Sequence, residues 1–163
     1  MATEASKLID SLHLDRELVL EFFTFFSRFE YSLKRSGFRK KDKAEPNWDC
    51  YANSLRGLFG QVKDQAFREA VAFLLKEPPK TQVISGDDLD WSDTLPGDGQ
   101  HHERYVLRLV STVRNNLFHG GKYPVGPIDD VARNQNLLRA AITVLDQCLE
   151  LSERVRAVFR DAA

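Results

Sequence analysis

Apolar residues return every three or four positions along most of the chain, in blocks separated by two polar stretches. Between about Asp15 and Arg35 the recurring positions are Leu18, Val19, Phe22, Phe25, Phe26, Phe29 and Leu33. At about 100° per residue they share one wide face, the pattern of a helix with a buried side. Glu21, Thr24 and Arg28 interrupt the phenylalanine-rich run at helical spacing, and Gly37 follows the helix end. A second helix is predicted from Asn47, a good capping residue, with Trp48, Tyr51, Ala52, Leu55, Leu58 and Phe59. A third covers about Lys63 to Lys76, with Phe67, Ala70, Val71, Leu74 and Leu75 inward, and "EPPK" closes it. A fourth runs from about His102 to Phe118 on Val106, Leu109, Val110, Val113 and Leu117. The last runs from near Asp129 to about Arg160 on Leu138, Ala141, Ile142, Leu145, Leu149, Val155 and Phe159.

The polar stretches are residues 36–46, a basic loop ending in proline, and residues 78–100, a long loop rich in proline, glycine and aspartate. Only "TQVIS" within the second reads as a short strand or turn. Loops of this length are often functional. No internal repeat or low-complexity tract appears. The expectation is an all-α fold: one domain over residues 1–163, a compact bundle of about five helices.

Composition narrows the function classes more than it names one. The chain has 163 residues, 42% hydrophobic and 29% charged, enough for one domain with a real core. A formal net charge of −1 gives no whole-molecule basic field, so nucleic-acid binding would need a local patch. Lys34, Arg35, Arg39, Lys40, Lys41 and Lys43 offer one, either as an RNA-backbone contact or as a solvated loop. Cys50 and Cys148 form neither a disulfide framework nor a metal set, so a reducing, cytoplasmic setting is expected. The opening "MATEASKLIDSLHLDREL" lacks the basic and apolar regions of a secretory leader. No apolar run reaches the roughly 18 residues of a membrane span, and no membrane partner is expected.

The richest stretch is "VRNNLFHGGK", residues 113–122. Arg104, Arg108, Ser111, Asn115 and His119 form a polar stripe on the fourth helix, at steps of four, three, four and four. Arg114 borders the core face. On an ideal helix Arg114 and His119 lie about 140° apart and roughly 7.5 Å apart along the axis. They converge if the helix loosens at its end, which Gly120 and Gly121 permit. A histidine at a helix C-terminus is favoured as imidazolium. An arginine holds phosphate by paired hydrogen bonds, and an imidazole moves protons near neutral pH. The same residue types also make an ordinary helix cap, and both readings stand on the residues alone.

Glu30 is the informative residue elsewhere. It projects at roughly 120° on the first helix, between Val19 and Phe23, on the apolar side. A carboxylate there needs a partner: an arginine of a neighbouring helix, or Arg114 or His119, which it would hold from behind. Lys122 and Tyr123 follow the motif closely enough to touch a substrate. His101 and His102 read as helix-start residues, since no further ligands complete a metal site. Trp48 fits the core stripe of its helix, although it and Trp91 could stack on bases. Gly120-Gly121 is not a phosphate loop, because no strand precedes it and no Gly-Lys-Ser/Thr follows.

"RNNLFHG" on the fourth helix of an all-helical chain resembles the HEPN domain (higher eukaryotes and prokaryotes nucleotide-binding). That signature is an arginine, four to six residues, then a histidine, with a polar residue after the arginine. Arg114, Asn115 and His119 match it. "FFSRFEYSLKRSGF" and "EPPKTQVISGDDLDW" also resemble a bacterial subgroup, so the likeness covers most of the chain. The resemblance implies a homodimer with the site at its interface and a metal-independent endoribonuclease of toxin or antiviral type, needing no cofactor. An antitoxin partner is possible in such a setting. Other members are non-catalytic modules that bind RNA or nucleotides. By resemblance Arg114 would bind the scissile phosphate, His119 would be general acid or base for 2′-OH attack, and Asn115 would orient them. Arg104 and Arg108 would add substrate contacts. One branch carries a tyrosine two residues after the histidine; here that position is Gly121, with Tyr123 two further on, so that branch's regulation is not expected. Outside this family, a purely structural helical interaction protein also fits the residues.

Overall fold

The computed structural model describes residues 3–11, 13–119 and 130–161. Among them are seven α-helices and one antiparallel hairpin: α1 (Glu4–Ser11), α2 (Arg16–Arg35), α3 (Trp48–Ser54), α4 (Gln65–Lys76), β1 (Thr81–Ser85), β2 (Asp88–Ser92), α5 (His102–Phe118), α6 (Val131–Leu151) and α7 (Glu153–Asp161). A single 3₁₀ turn, Phe59–Gln61, joins α3 to α4. The fold is an all-α bundle. Among the described residues no helix is long and apolar enough to cross a membrane.

Helix starts follow side-chain chemistry. Asp15, Asn47, Asp64 and Asp130 each accept the N–H of the residue three positions on, capping α2, α3, α4 and α6. The core forms where the apolar stripes meet. Phe22, Phe29 and Leu33 of α2, Tyr51 of α3, Leu74 of α4, Val106, Leu109 and Val110 of α5 and Ala141, Val144 and Leu145 of α6 are all fully buried. Tyr51 closes its own polar end: its hydroxyl donates to the Cys148 carbonyl at 3.0 Å. Burial pushes the Tyr51 phenol well above its ordinary pKa, so it stays a donor.

Three expectations are corrected. The last helix is not continuous to Arg160. It breaks at Ser152 (φ −131°, ψ 89°), and α7 turns back onto α2. Val155 is thereby buried, Phe159 packs its ring 5.2 Å from Phe25, and Arg28 donates to the Phe159 carbonyl. The predicted second helix is shorter than its apolar pattern, because Leu55–Leu58 turn and Phe59 enters the core from the 3₁₀ segment. The loop over 78–100 contains the hairpin. Ser85 pairs with Asp88, leaving Gly86 and Asp87 as the turn, and Gly86 has φ 63°, the left-handed setting that glycine adopts freely in tight hairpin turns. Helix α1 was not anticipated.

The hairpin lies along α5. Tyr105 donates to the Thr94 carbonyl at 2.7 Å, and Asn116 donates to the Lys80 carbonyl at 2.8 Å. At its N-terminal end α5 is pinned by Glu103, whose carboxylate is buried. Glu103 Oε1 accepts the N–H groups of Gly57 at 2.8 Å and Phe59 at 3.4 Å, and Oε2 lies 3.1 Å from His101 Nδ1. Burial alone would raise the Glu103 carboxyl. Hydrogen bonds from its own backbone N–H, His101, Gly57 and Phe59 outweigh that and hold it below its ordinary value.

Candidate functional site

The stretch opened by Arg114 lies where α5 runs out of turns, and its side chains there reach Phe23, Phe26 and Glu30 of α2. Arg114 sits on the last full turn of α5, half-buried. Its guanidinium lies against two rings, Phe26 of α2 and Phe118 of α5, each centroid 5.7 Å away. Nη1 donates to Asn115 Oδ1 at 3.0 Å, and Nη2 lies 3.6 Å from Glu30 Oε2. The two charged side chains are 33% and 21% exposed, so the pair stands between core and solvent. Glu30 Oε1 in turn accepts the indole N–H of Trp48 at 3.2 Å. Glu30, Arg114 and Asn115 therefore form one connected polar set, with Trp48 behind it.

His119 ends the helix. Its N–H donates to the Asn115 carbonyl at 2.8 Å, while its φ of −101° and ψ of 25° have left the helical range. The side chain is exposed, one turn past Asn115. Gly120, Gly121, Lys122 and Tyr123 lie outside the described residues.

Helix α5 does not present its whole polar stripe to one ligand. Arg104 Nε pairs with Asp49 Oδ1 at 2.7 Å, tying α5 to α3. Arg108 lies over the Tyr105 ring at 5.5 Å and donates to the Leu95 carbonyl. Arg104 is ten residues from Arg114, about 15 Å along the axis. Both arginines thus bind the bundle to itself, and neither joins the set around Arg114.

Other candidates resolve locally. His101 caps α5 and bridges Glu103 to Asn53, its Nε2 lying 2.9 Å from Asn53 Oδ1, as a helix-start residue would. Among the described residues no group of three or more His, Cys, Asp or Glu is placed to hold a metal ion. In the basic loop Lys40 pairs with Glu45 at 2.6 Å, while Lys41 and Lys43 are exposed. The hydrogen bond and charge of Lys40 lower the Glu45 carboxyl pKa.

Sequence reasoning missed two features. The first is the polar role of Trp48. An indole N–H on an apolar stripe needs an acceptor, and Glu30 was the carboxylate already placed on the apolar side of the neighbouring helix; pairing the two was within reach. The second is an aromatic surface beside Arg114. Phe23 and Phe118 pack 5.3 Å apart and remain 45% and 46% exposed, with Leu20 nearby on α2 at 64%. A wheel places Phe23 on the border of its stripe and cannot show that it stays half-exposed among the described residues.

Chemically, the set offers a permanently charged, oriented cation. A guanidinium has five N–H donors; Asn115 accepts one of them, and the Glu30 carboxylate faces Nη2 as an ion pair. Its planar fork suits an anion with two oxygens to share. Compared with known protein families, curated proteins and solved structures, the chain matches none.

Proposed function

We propose that the protein is a metal-independent endoribonuclease of HEPN type, acting in the cytoplasm as a toxin or defence effector. Arg114 binds the scissile phosphate, His119 moves the proton as the ribose 2′-OH attacks, and Asn115 and Glu30 set the direction of the guanidinium. The products are a 2′,3′-cyclic phosphate and a 5′-hydroxyl. One observation carries the reading: a half-exposed arginine is backed by a carboxylate and bonded to an exposed asparagine, at a helix end whose next turn is an exposed histidine. An ordinary cap needs no such backing. The exposed Leu20, Phe23 and Phe118 beside the site support a homodimer with the site at its interface.

A second reading is a module that binds RNA or nucleotides without cleaving. The half-exposed rings of Phe23 and Phe118 favour it, since they offer stacking surfaces next to a cation. One assay separates the two. Purified protein is incubated with RNA in EDTA beside Arg114→Ala and His119→Ala. Cleavage that both variants lose, with cyclic-phosphate ends, supports the enzyme; general acid–base catalysis is worth about 10²–10⁴-fold, so loss of His119 should be severe. Binding without cleavage supports the module. Neither activity returns Arg114 and His119 to the role of caps.

A further inference from the structure

We propose that Trp48 is a positioning residue for Arg114, acting through Glu30. What this means for a bound phosphate rests on the ribonuclease reading; the relay from indole to carboxylate to guanidinium does not.

The indole is held in place by its surroundings. Asn47 caps α3 and accepts the Cys50 N–H, which makes Trp48 the first residue of that helix. The Asn47 N–H donates to the Phe38 carbonyl at 2.9 Å, so the loop before the helix is tied as well. The Trp48 ring stacks on Phe29 at 5.6 Å with 5° between planes, and Phe26 and Tyr51 pack at 5.4 and 6.4 Å. With the ring confined on these sides, its N–H points to Glu30 Oε1 at 3.2 Å. A carboxylate turns easily about its terminal bond. Anchoring one oxygen to an immobile donor leaves the other facing Arg114 Nη2 at 3.6 Å. Phe26 serves both partners, since it packs against Trp48 and lies under Arg114. The guanidinium thus has its ring, its carboxylate and its asparagine on fixed sides.

The test uses ¹⁵N-labelled full-length protein. Replacing Glu30 with Gln keeps the shape and removes the charge of the acceptor. The Trp48 indole signal should move, while that of Trp91 in the hairpin stays. Trp48→Phe keeps an aromatic ring against Phe29 and removes the donor. It should broaden or shift the Arg114 Nε–H signal, assigned by its loss in Arg114→Lys. RNA cleavage in EDTA should lose kcat by about tenfold with KM within about threefold. A merely structural role would lower the melting temperature and leave the Arg114 signal and kcat alone. An indole signal indifferent to Glu30→Gln, or an Arg114 signal unchanged in Trp48→Phe, overturns the proposal. If Trp48→Phe fails to fold, Glu30→Gln decides by the same two signals. If wild type cuts no RNA, the ribonuclease reading falls, and the relay stands or falls on the two signals.

Discussion

Glu103→Gln tests whether the second residue of α5 anchors the helix that carries Arg114. The carboxylate is 4% exposed and accepts two backbone N–H groups from the α3–α4 connection, at 2.8 and 3.4 Å. A hydrogen bond to a charged group contributes about 1.5–3 kcal/mol and a neutral one about 0.5–1.5. Glutamine keeps an acceptor but loses the charge, so each bond weakens by about 1 kcal/mol. The expected loss near pH 7 is ~2 kcal/mol, a fall in Tm of roughly 4–8 °C for a chain of this size. The pH dependence has a definite sign. The folded-state pKa lies below the ordinary 4.5, so the folded protein binds the proton less readily than the unfolded chain. Glu103 therefore stabilises above the ordinary carboxylate pKa, and this contribution is lost as pH falls through the folded value. Urea melts of wild type and Glu103→Gln should differ most near pH 7 and converge only as pH falls below 4.5 and through the folded value. A gap under ~0.5 kcal/mol near pH 7, or one of constant size down the acid limb, would refute the anchoring argument.

Two further outcomes follow from the same geometry. Tyr51→Phe leaves the Cys148 carbonyl without its hydroxyl donor in the last turn of α6, and should cost ~1.5 kcal/mol, or roughly 3–6 °C in Tm, with cleavage per folded molecule unchanged; a loss below ~0.3 kcal/mol would show that another donor takes over. Lys41→Gln with Lys43→Gln should reduce the slope of log K against log salt for single-stranded RNA by ~1.4, about 0.7 per phosphate contact, if the basic loop touches the backbone; an unchanged slope makes it a solvated loop.

The helices that pack into the core were legible because their stripes are wide and their caps are standard chemistry. Asp15 and Asn47 announce α2 and α3, and the faces of α4 and α5 fall where the periodicity puts them, except that Leu75, expected inward, is exposed. What was hidden depends on neighbours. Helix α1 is only eight residues long, and its Leu8 is 48% exposed, so its short apolar side does not join the core. The break between α6 and α7 has no proline or glycine; Ser152 leaves the helix because Val155 and Phe159 find α2 only by turning back. Strand β2 alternates Asp88, Leu89, Asp90, Trp91 and Ser92, but the run is only five residues long and exposed throughout, so no buried face marks it. At the candidate site, Glu30 was legible because a carboxylate on an apolar face demands a partner. The stripe from Arg104 to His119 did not reveal the partners of Arg104 and Arg108, because spacing along a helix says which residues share a face but not what each one meets.

That distinction bears on why a carboxylate occupies position 30 at all. Its pair with Arg114 is long, at 3.6 Å, and partly solvated, and such pairs contribute about 0–1 kcal/mol. Apolar groups in place of both the carboxylate and its indole donor would avoid most of the desolvation cost and stabilise the bundle as well or better. Stability alone therefore gives Glu30, its indole donor and the half-buried Arg114 little reason to be polar together. Orientation does. Without Glu30, Arg114 would still rest on Phe26 and Phe118 and donate to Asn115, but its Nη2 would lose its carboxylate; with Glu30, both terminal nitrogens have a partner that limits how the guanidinium turns. The consequence is measurable as a divergence: the double variant Glu30→Leu with Trp48→Phe, which removes the carboxylate and its indole donor together, should leave Tm about unchanged while weakening whatever binding or cleavage Arg114 supports. Parallel loss of stability and activity would instead make the trio a structural pair that happens to sit at a helix end.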